Sequence, residues 1–218
     1  MKIGVLGTGT VGNAIGSKLI QLEHEVKMGS RTADNEKAAE WVLNNGALAS
    51  QGTFADAASA GEIIFNCTLG GVSLEVMQMA GADNLKGKII IDISNPLDFS
   101  KGFPPTLYPD LSNTTSVGEE IQRQYPTTKV VKTLNTVNAM LMVNPVALAD
   151  ADHSMFLCGN DADAKNTVKD ILQKWFGWKD VIDLGDISNA RGIEMILPLW
   201  VRLYGSLQHP NFNFKIVR

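Results

Sequence analysis

The chain of 218 residues has little with which to staple itself or hold a metal: two cysteines and three histidines. Cys67 and Cys158 stand far apart, which excludes a disulfide framework and any C-x-x-C pair and fits a reducing cytoplasm. His24, His153 and His209 are scattered and form no H-E-x-x-H pair, so no metal site is expected. The G-x-S-x-G elbow of serine hydrolases is missing. So is a basic stripe: 19 Lys and Arg face 23 Asp and Glu, a net charge of −4, and a nucleic-acid surface is not expected. No apolar run approaches the ~20 residues of a bilayer crossing. Met195 to Val201, an apolar late stretch, is bounded by Glu194 and Arg202 and contains Pro198. The apolar N-terminus is interrupted by glycines and reads as a strand and its turn, not a signal peptide.

What is present is a globular composition, 44% hydrophobic and 19% charged, enough to bury the core of one α/β domain with a small extra lobe. Lys2 to Leu6 reads as a buried strand running into Gly7-Thr8-Gly9-Thr10-Val11-Gly12. Val11, Ile15, Leu19 and Leu22 then recur at helical spacing. Further strands are expected at 25–28, 62–67, 88–93, 129–134, 154–158 and, as a last core strand, 181–184. Helices are expected at 33–45, 53–60, 72–79 and 163–176. Ser116, with Glu119 three residues on, opens another through a capping box. Asn95 to Pro109 reads as a long loop. From Ser188 onward Ile193, Ile196, Leu197, Trp200, Val201 and Tyr204 mark one helical face, with Pro198 expected to bend that helix. The alternation predicts a Rossmann-type, doubly wound, mostly parallel sheet over 1–186, with a crevice at the C-terminal ends of its strands. Residues 187–218 are expected to add a C-terminal helix and tail.

Gly7, Gly9 and Gly12 match G-x-G-x-x-G between an apolar strand and an amphipathic helix, the context in which the pattern binds a dinucleotide. The first glycine allows the tight turn, the second admits the pyrophosphate to the backbone, and the third lets helix and strand pack closely. Thr8, Thr10 and Val11 are cofactor-binding candidates by the same placement. NAD-binding domains carry an acid at the end of the second strand to accept from the ribose hydroxyls. Here Gly29-Ser30-Arg31 stands in its place. A guanidinium and a hydroxyl suit a 2′-phosphate, and at about 1.5–3 kcal/mol per charge-assisted bond Arg31 alone favours NADP by roughly ten- to a hundred-fold. Lys37 is a further candidate one helical turn on. The competing reading has Ser30 capping a helix and Arg31 solvated.

These segments resemble the coenzyme F420-dependent NADP oxidoreductases, over essentially the whole chain. The resemblance is carried by Gly7 to Gly12, by Gly29-Ser30-Arg31, by Asp186 to Glu194 followed by Leu197-Pro198-Leu199, and by the ending Phe214-Lys215-Ile216-Val217. The layout is also similar to the NADPH domain of the STEAP metalloreductases, where it precedes a membrane domain not expected in this chain. The resemblance implies hydride transfer between NADPH and a flavin-like acceptor, with F420, FMN and FAD as candidates and quinone another flat ring. It places the nicotinamide against the acceptor ring, between the sheet edge and the C-terminal helix. It also implies a homodimer built on that helix. Since the cofactors perform the transfer, no catalytic acid or base is named.

Candidate contacts follow from the strand ends. Cys67, Thr68 and Leu69 are expected at the nicotinamide ribose, with Asn95 and Pro96 after the next strand. Asn135, Thr136 and Asn138 are acceptor-pocket candidates, the family often carrying histidine at Asn135. Ser188, Asn189 and Arg191 are acceptor candidates at a helix start. Their structural alternatives are a Ser188 cap, an Arg191–Glu194 surface pair and a Cys67 that merely fills the core. Asp92 near Asp98 is read as structural. Two other functions stay open: an NADPH-binding sensor without turnover, and a reductase of a small carbonyl or imine.

Overall fold

The computed structural model describes residues 1–218. The first half runs β1 (Lys2–Leu6), α1 (Thr10–Gln21), β2 (Glu25–Ser30), α2 (Glu36–Asn45), β3 (Ala49–Thr53), α3 (Phe54–Ala60), β4 (Ile63–Asn66), α4 (Ser73–Ala80), α5 (Ala82–Leu85) and β5 (Ile89–Asp92). A two-stranded hairpin, β6 (Leu97–Asp98) and β7 (Thr106–Leu107), follows. The second half runs α6 (Val117–Gln124), β8 (Lys129–Thr133), α7 (Ala139–Val143), β9 (Ser154–Gly159), α8 (Ala162–Asp170), β10 (Asp180–Asp183), α9 (Ala190–Met195) and α10 (Leu197–Leu207). None of the helices is long and apolar enough to cross a membrane.

Eight strands form one sheet in the order β10-β9-β8-β5-β4-β1-β2-β3. β1 to β5 and β8 are parallel; β9 runs antiparallel to β8, and β10 is parallel to β9. This is the expected Rossmann-type α/β architecture. The chain leaves β1 toward β2 and β3, then returns to β4 on its other side, and that reversal opens a crevice at the strand ends.

Strands buried on both faces need apolar residues at successive positions. Val5, Ile91, Val131 and Leu157 therefore feed one core, while Leu6, Ile90, Val130 and Cys158 feed the other. Helix α1 buries Gly12, Ile15, Gly16 and Leu19, an i, i+3, i+4, i+7 stripe. Trp41 of α2 packs on Gly16 and donates from Nε1 to Ser17 Oγ at 3.0 Å.

Several boundaries depart from the sequence pattern for physical reasons. β3 reads ASQGT, with no apolar run, and forms because β2 offers it a parallel edge. The expected 95–109 loop contains the β6–β7 hairpin. β10 is an edge strand, not a central one. Asn35 caps α2 by accepting from Ala38 N, which moves its start past residue 33. The late helix is interrupted at Pro198: α9 ends at Met195, Ile196 keeps a helical backbone, and α10 follows with the proline in its first turn, where its missing N–H is tolerated. The Ser116–Glu119 capping contact forms as expected, Ser116 Oγ accepting from Glu119 N at 3.1 Å.

Candidate functional site

A cleft of about 780 Å³ opens at the C-terminal ends of β1, β2, β4, β5 and β8. Gly7, Thr8, Gly9, Thr10 and Val11 form one wall. A Cβ on Gly12 would sit 2.0 Å from Gly7 O, so only glycine lets α1 begin this close to the turn. A Cβ on Gly9 would meet nothing within 4 Å. The space beside Gly9 is therefore vacant on the protein side, and no side chain caps α1 or adds an acid to its first turn. The first amides of a helix lack intrahelical acceptors, and here they are left free for an anion. Asn13 Nδ2 donates to Thr8 O at 3.2 Å and to Gly9 O at 3.3 Å, fixing the turn. A dinucleotide pyrophosphate fits this cradle.

At the next strand end, Ala57 of α3 lies against Gly29, leaving no room for a side chain there. Ser30 is buried and donates to Thr32 O, so it caps no helix. Arg31 is exposed, lines the cleft and has no carboxylate partner. Asn35 lines the cleft beside it, with Nδ2 available to a ligand while Oδ1 caps α2. Lys37 is exposed on α2 and does not line the cleft.

The floor is a polar network. Thr68 Oγ1 donates to Asn66 Oδ1 at 2.7 Å, and Asn66 Nδ2 donates to Asp92 Oδ1 at 2.8 Å and to Ser73 Oγ at 3.1 Å. Ser94 Oγ donates to the same Asp92 oxygen at 2.7 Å. Beneath them Lys132, fully buried, lies 2.8 Å from both Asp92 Oδ2 and Glu194 Oε1. Burial alone pulls the Lys132 pKa down, but the two carboxylates outweigh it and hold the ammonium above its ordinary value. Burial pushes the Glu194 carboxyl up, opposed by Lys132 and by the amides of Val117 (2.9 Å) and Gly118 (3.1 Å) at the start of α6. Asp92 is thus engaged structurally, by Lys132, Asn66 and Ser94. Cys67 and Leu69 line the cleft; burial, then the Asp92 charge, pushes the Cys67 thiol far up, which leaves it a neutral contact.

Asn95 and Asn135 face each other at the ends of β5 and β8, and both line the cleft. Leu134, at φ +62°, turns the chain there, a conformation costing about 1–2 kcal/mol for a residue with a Cβ. Pro96 is buried and accepts from Tyr108 N at 2.9 Å instead of lining the cleft. Thr136 is buried, does not line the cleft, and its hydroxyl has no partner. Asn138 lines the cleft, but its oxygen caps α7 and its Nδ2 donates to Pro210 O at 2.7 Å.

The wall opposite the glycine turn is aromatic. α10 presents Leu197, Trp200, Val201 and Tyr204 to the cleft, and the β6–β7 hairpin adds Phe99 and Phe103. The Trp200 and Tyr204 rings are nearly parallel, 6° apart in plane and 5.9 Å between centroids, and Phe103 meets Tyr204 edge-on at 6.2 Å. Phe212 of the tail braces Trp200 from behind at 5.1 Å. Phe99, Phe103 and Asn35 were not singled out in the sequence; two aromatics within a turn-rich loop were the available signal.

Ser188, Asn189 and Arg191, expected at the acceptor, do not line this cleft. Asp186, not Ser188, caps the turn there, and Ser188 donates to it. Arg191 forms a two-pronged pair with Glu119 of α6, through Nε at 2.8 Å and Nη2 at 2.5 Å, and not with the buried Glu194. No group of three or more potential metal ligands occurs.

The sequence profile of the family described as NADP oxidoreductase, coenzyme F420-dependent, matches residues 2–96. The F420-dependent NADP reductase of Methanocaldococcus jannaschii is 32% identical over 216 residues, covering 93% of this chain and 92% of that protein. Metalloreductase STEAP3 of Rattus norvegicus is 29% identical over 205 residues, 91% of this chain, and the chain spans 38% of that protein's length. A crystal structure of a provisionally named F420-dependent NADP reductase from Arthrobacter sp. FB24 matches with a TM-score of 0.93 and 51% identity over all of both chains.

Proposed function

The chain belongs to the coenzyme F420-dependent NADP oxidoreductases, and from that premise we propose that it moves a hydride between NADPH and a flavin-like acceptor, F420 or a flavin, inside the cleft. It is an NADP-dependent oxidoreductase by family, and the choice of acceptor is the finer claim. The observation that carries it is the cleft itself: a phosphate-sized cradle at the glycine turn and an unpaired Arg31 at one end, and a flat aromatic wall at the other.

In this reading the α1 amides and the Gly9 backbone hold the pyrophosphate, and Arg31 and Asn35 receive the 2′-phosphate, while the Ser30 hydroxyl, donated to Thr32 O, holds the turn that presents them. Thr68, Cys67, Leu69 and Asn95 border the nicotinamide and its ribose. NADPH supplies the hydride, and the chain's task is to hold two rings face to face about 3–3.5 Å apart and keep water away. The aromatic wall does the second, and the hydrogen-bonded Asn95–Asn135 floor fixes the first. A carbonyl or imine substrate would need a proton donor, and the side chain lining the cleft that could serve, besides the high-pKa Cys67, is the Tyr204 phenol. A homodimer is part of the proposal, supported by exposed Met195, Leu199 and Leu207 along α9 and α10.

The test follows NADPH absorbance on adding F420, FMN or FAD separately to purified protein. Consumption with at least one supports the proposal, and consumption with F420 alone fixes the acceptor. Tight NADPH binding with no consumption by any of them sinks it in favour of a sensor.

A further inference from the structure

Arg31 is the only formally charged side chain among the thirty residues lining the cleft. It lies beyond β2, and three strand spacings separate β2 from β5, about 14 Å at ~4.8 Å each. The acceptor end therefore has no cation of its own. Its surface is Phe99, Phe103, Leu197, Trp200 and Tyr204 over the neutral amides of Asn95 and Asn135. Lys101, in the loop joining β6 to β7, is exposed, does not line the cleft, and is close enough to Asp98 to help lower that carboxyl. Arg202 falls outside the 197, 200, 201, 204 stripe of α10, and Lys215 and Arg218 are engaged by Asp152 and Asp180.

Resting on the hydride-transfer reading above, we infer that the acceptor is recognised through an uncharged planar ring, with no contact for an anionic tail. An anion drawn against such a wall loses its water and gains no partner. A flat neutral ring gains stacking against Trp200 and Tyr204 and loses little. Phosphate-free flavins and simple quinones are then substrates of the same standing as a phosphorylated flavin, whose phosphate stays in water. The step balances without further reactants. One hydride, carrying two electrons, leaves C4 of the dihydronicotinamide and bonds to the acceptor, at N5 of a flavin or a carbonyl oxygen of a quinone. The dihydronicotinamide is oxidised, the ring is reduced, and a proton from water at the cleft mouth restores the ring's neutrality.

The experiment titrates riboflavin and FMN against NADP-loaded protein by flavin fluorescence, at low and high salt. It also follows NADPH consumption with riboflavin, FMN and a 1,4-naphthoquinone. The inference expects the two flavins to bind within about threefold of each other and to be insensitive to salt, since no surface ion pair is there to be screened. Trp200→Ala is expected to weaken both by a similar factor, about tenfold, and Lys101→Ala to change neither. FMN bound about tenfold or more tightly, with the preference collapsing in salt, overturns it, because a tail contact then exists. Failure of both flavins and the quinone to bind or react also overturns it. Equal binding without NADPH consumption leaves the recognition standing and removes only the turnover. Faster consumption of the quinone identifies the quinone as the source of the ring.

Discussion

Asn95 and Asn135, forty residues apart in sequence, exchange two hydrogen bonds: Asn95 Nδ2 donates to Asn135 O, and Asn135 Nδ2 donates to Asn95 Oδ1, both at 2.9 Å. The Asn135 amide also donates to Ile193 O at 2.9 Å. One side chain thus ties the end of β5 to the end of β8 and both to α9.

Asn135→Ala strands the buried Ile193 O, at about 1–3 kcal/mol, and frees the half-buried Asn95 Oδ1 to the cleft. The expected result is a lower Tm with NADPH affinity largely kept, because the glycine turn is untouched, and a reduced kcat/KM for the acceptor. Thermal unfolding and an NADPH titration read the two effects separately. An unchanged Tm would show that the pair contributes nothing.

Gly9 and Gly12 are predicted to fail in opposite ways. Gly9→Ala adds a methyl where the free protein has open space, so Tm should hold while NADPH binding is lost to the methyl in the pyrophosphate's place. Gly12→Ala drives a methyl into Gly7 O and should cost stability, about 1–3 kcal/mol or more. Paired denaturation and binding curves check both, and a Gly9→Ala protein that still binds NADPH tightly would exclude the cradle as the phosphate site.

Arg31→Ala should weaken NADPH by roughly ten- to a hundred-fold and NADH far less, given charge-assisted bonds of about 1.5–3 kcal/mol. Fluorescence titrations with both nucleotides decide it. Equal weakening of the two sinks the 2′-phosphate assignment.

Lys132→Met leaves two buried carboxylates without their cation, at about 3–5 kcal/mol. Because Lys132 is held above its ordinary value of 10.5, its contribution is complete below that pH and is lost as pH rises through the folded-state value. The gap between wild type and variant in urea midpoint should therefore be widest near neutrality and narrow above pH 10.5. A gap that stays constant through the alkaline range would mean that Lys132 acts through packing alone.

The phosphate cradle was legible because glycine spacing, a preceding strand and an amphipathic helix are all local. β3 was not: ASQGT carries no period, and its strand state comes entirely from β2. Lys132 was read only as part of a strand, since nothing in KVVKT announces that its second lysine meets Asp92 and Glu194. Arg191 is an acceptor candidate in the sequence because it falls at a helix start, yet α9 is rotated so that Arg191 faces Glu119 while Glu194 turns inward. The aromatic wall was half visible: the α10 stripe shows its period, while Phe99 and Phe103 reach the cleft only through the hairpin.

Glu194 accepts from Val117 N across seventy-seven intervening steps of chain. At about 5–20 residues per second of synthesis, that is roughly 4–15 s during which the Val117 and Gly118 amides of a nascent chain lack their carboxylate acceptor, and for about 3–12 s of it Lys132 has only Asp92 as counter-charge. A ribosome-bound chain ending before α9 is therefore expected to be an open, protease-sensitive intermediate rather than a smaller finished domain. Its resistance to digestion should rise abruptly once Glu194 clears the exit tunnel.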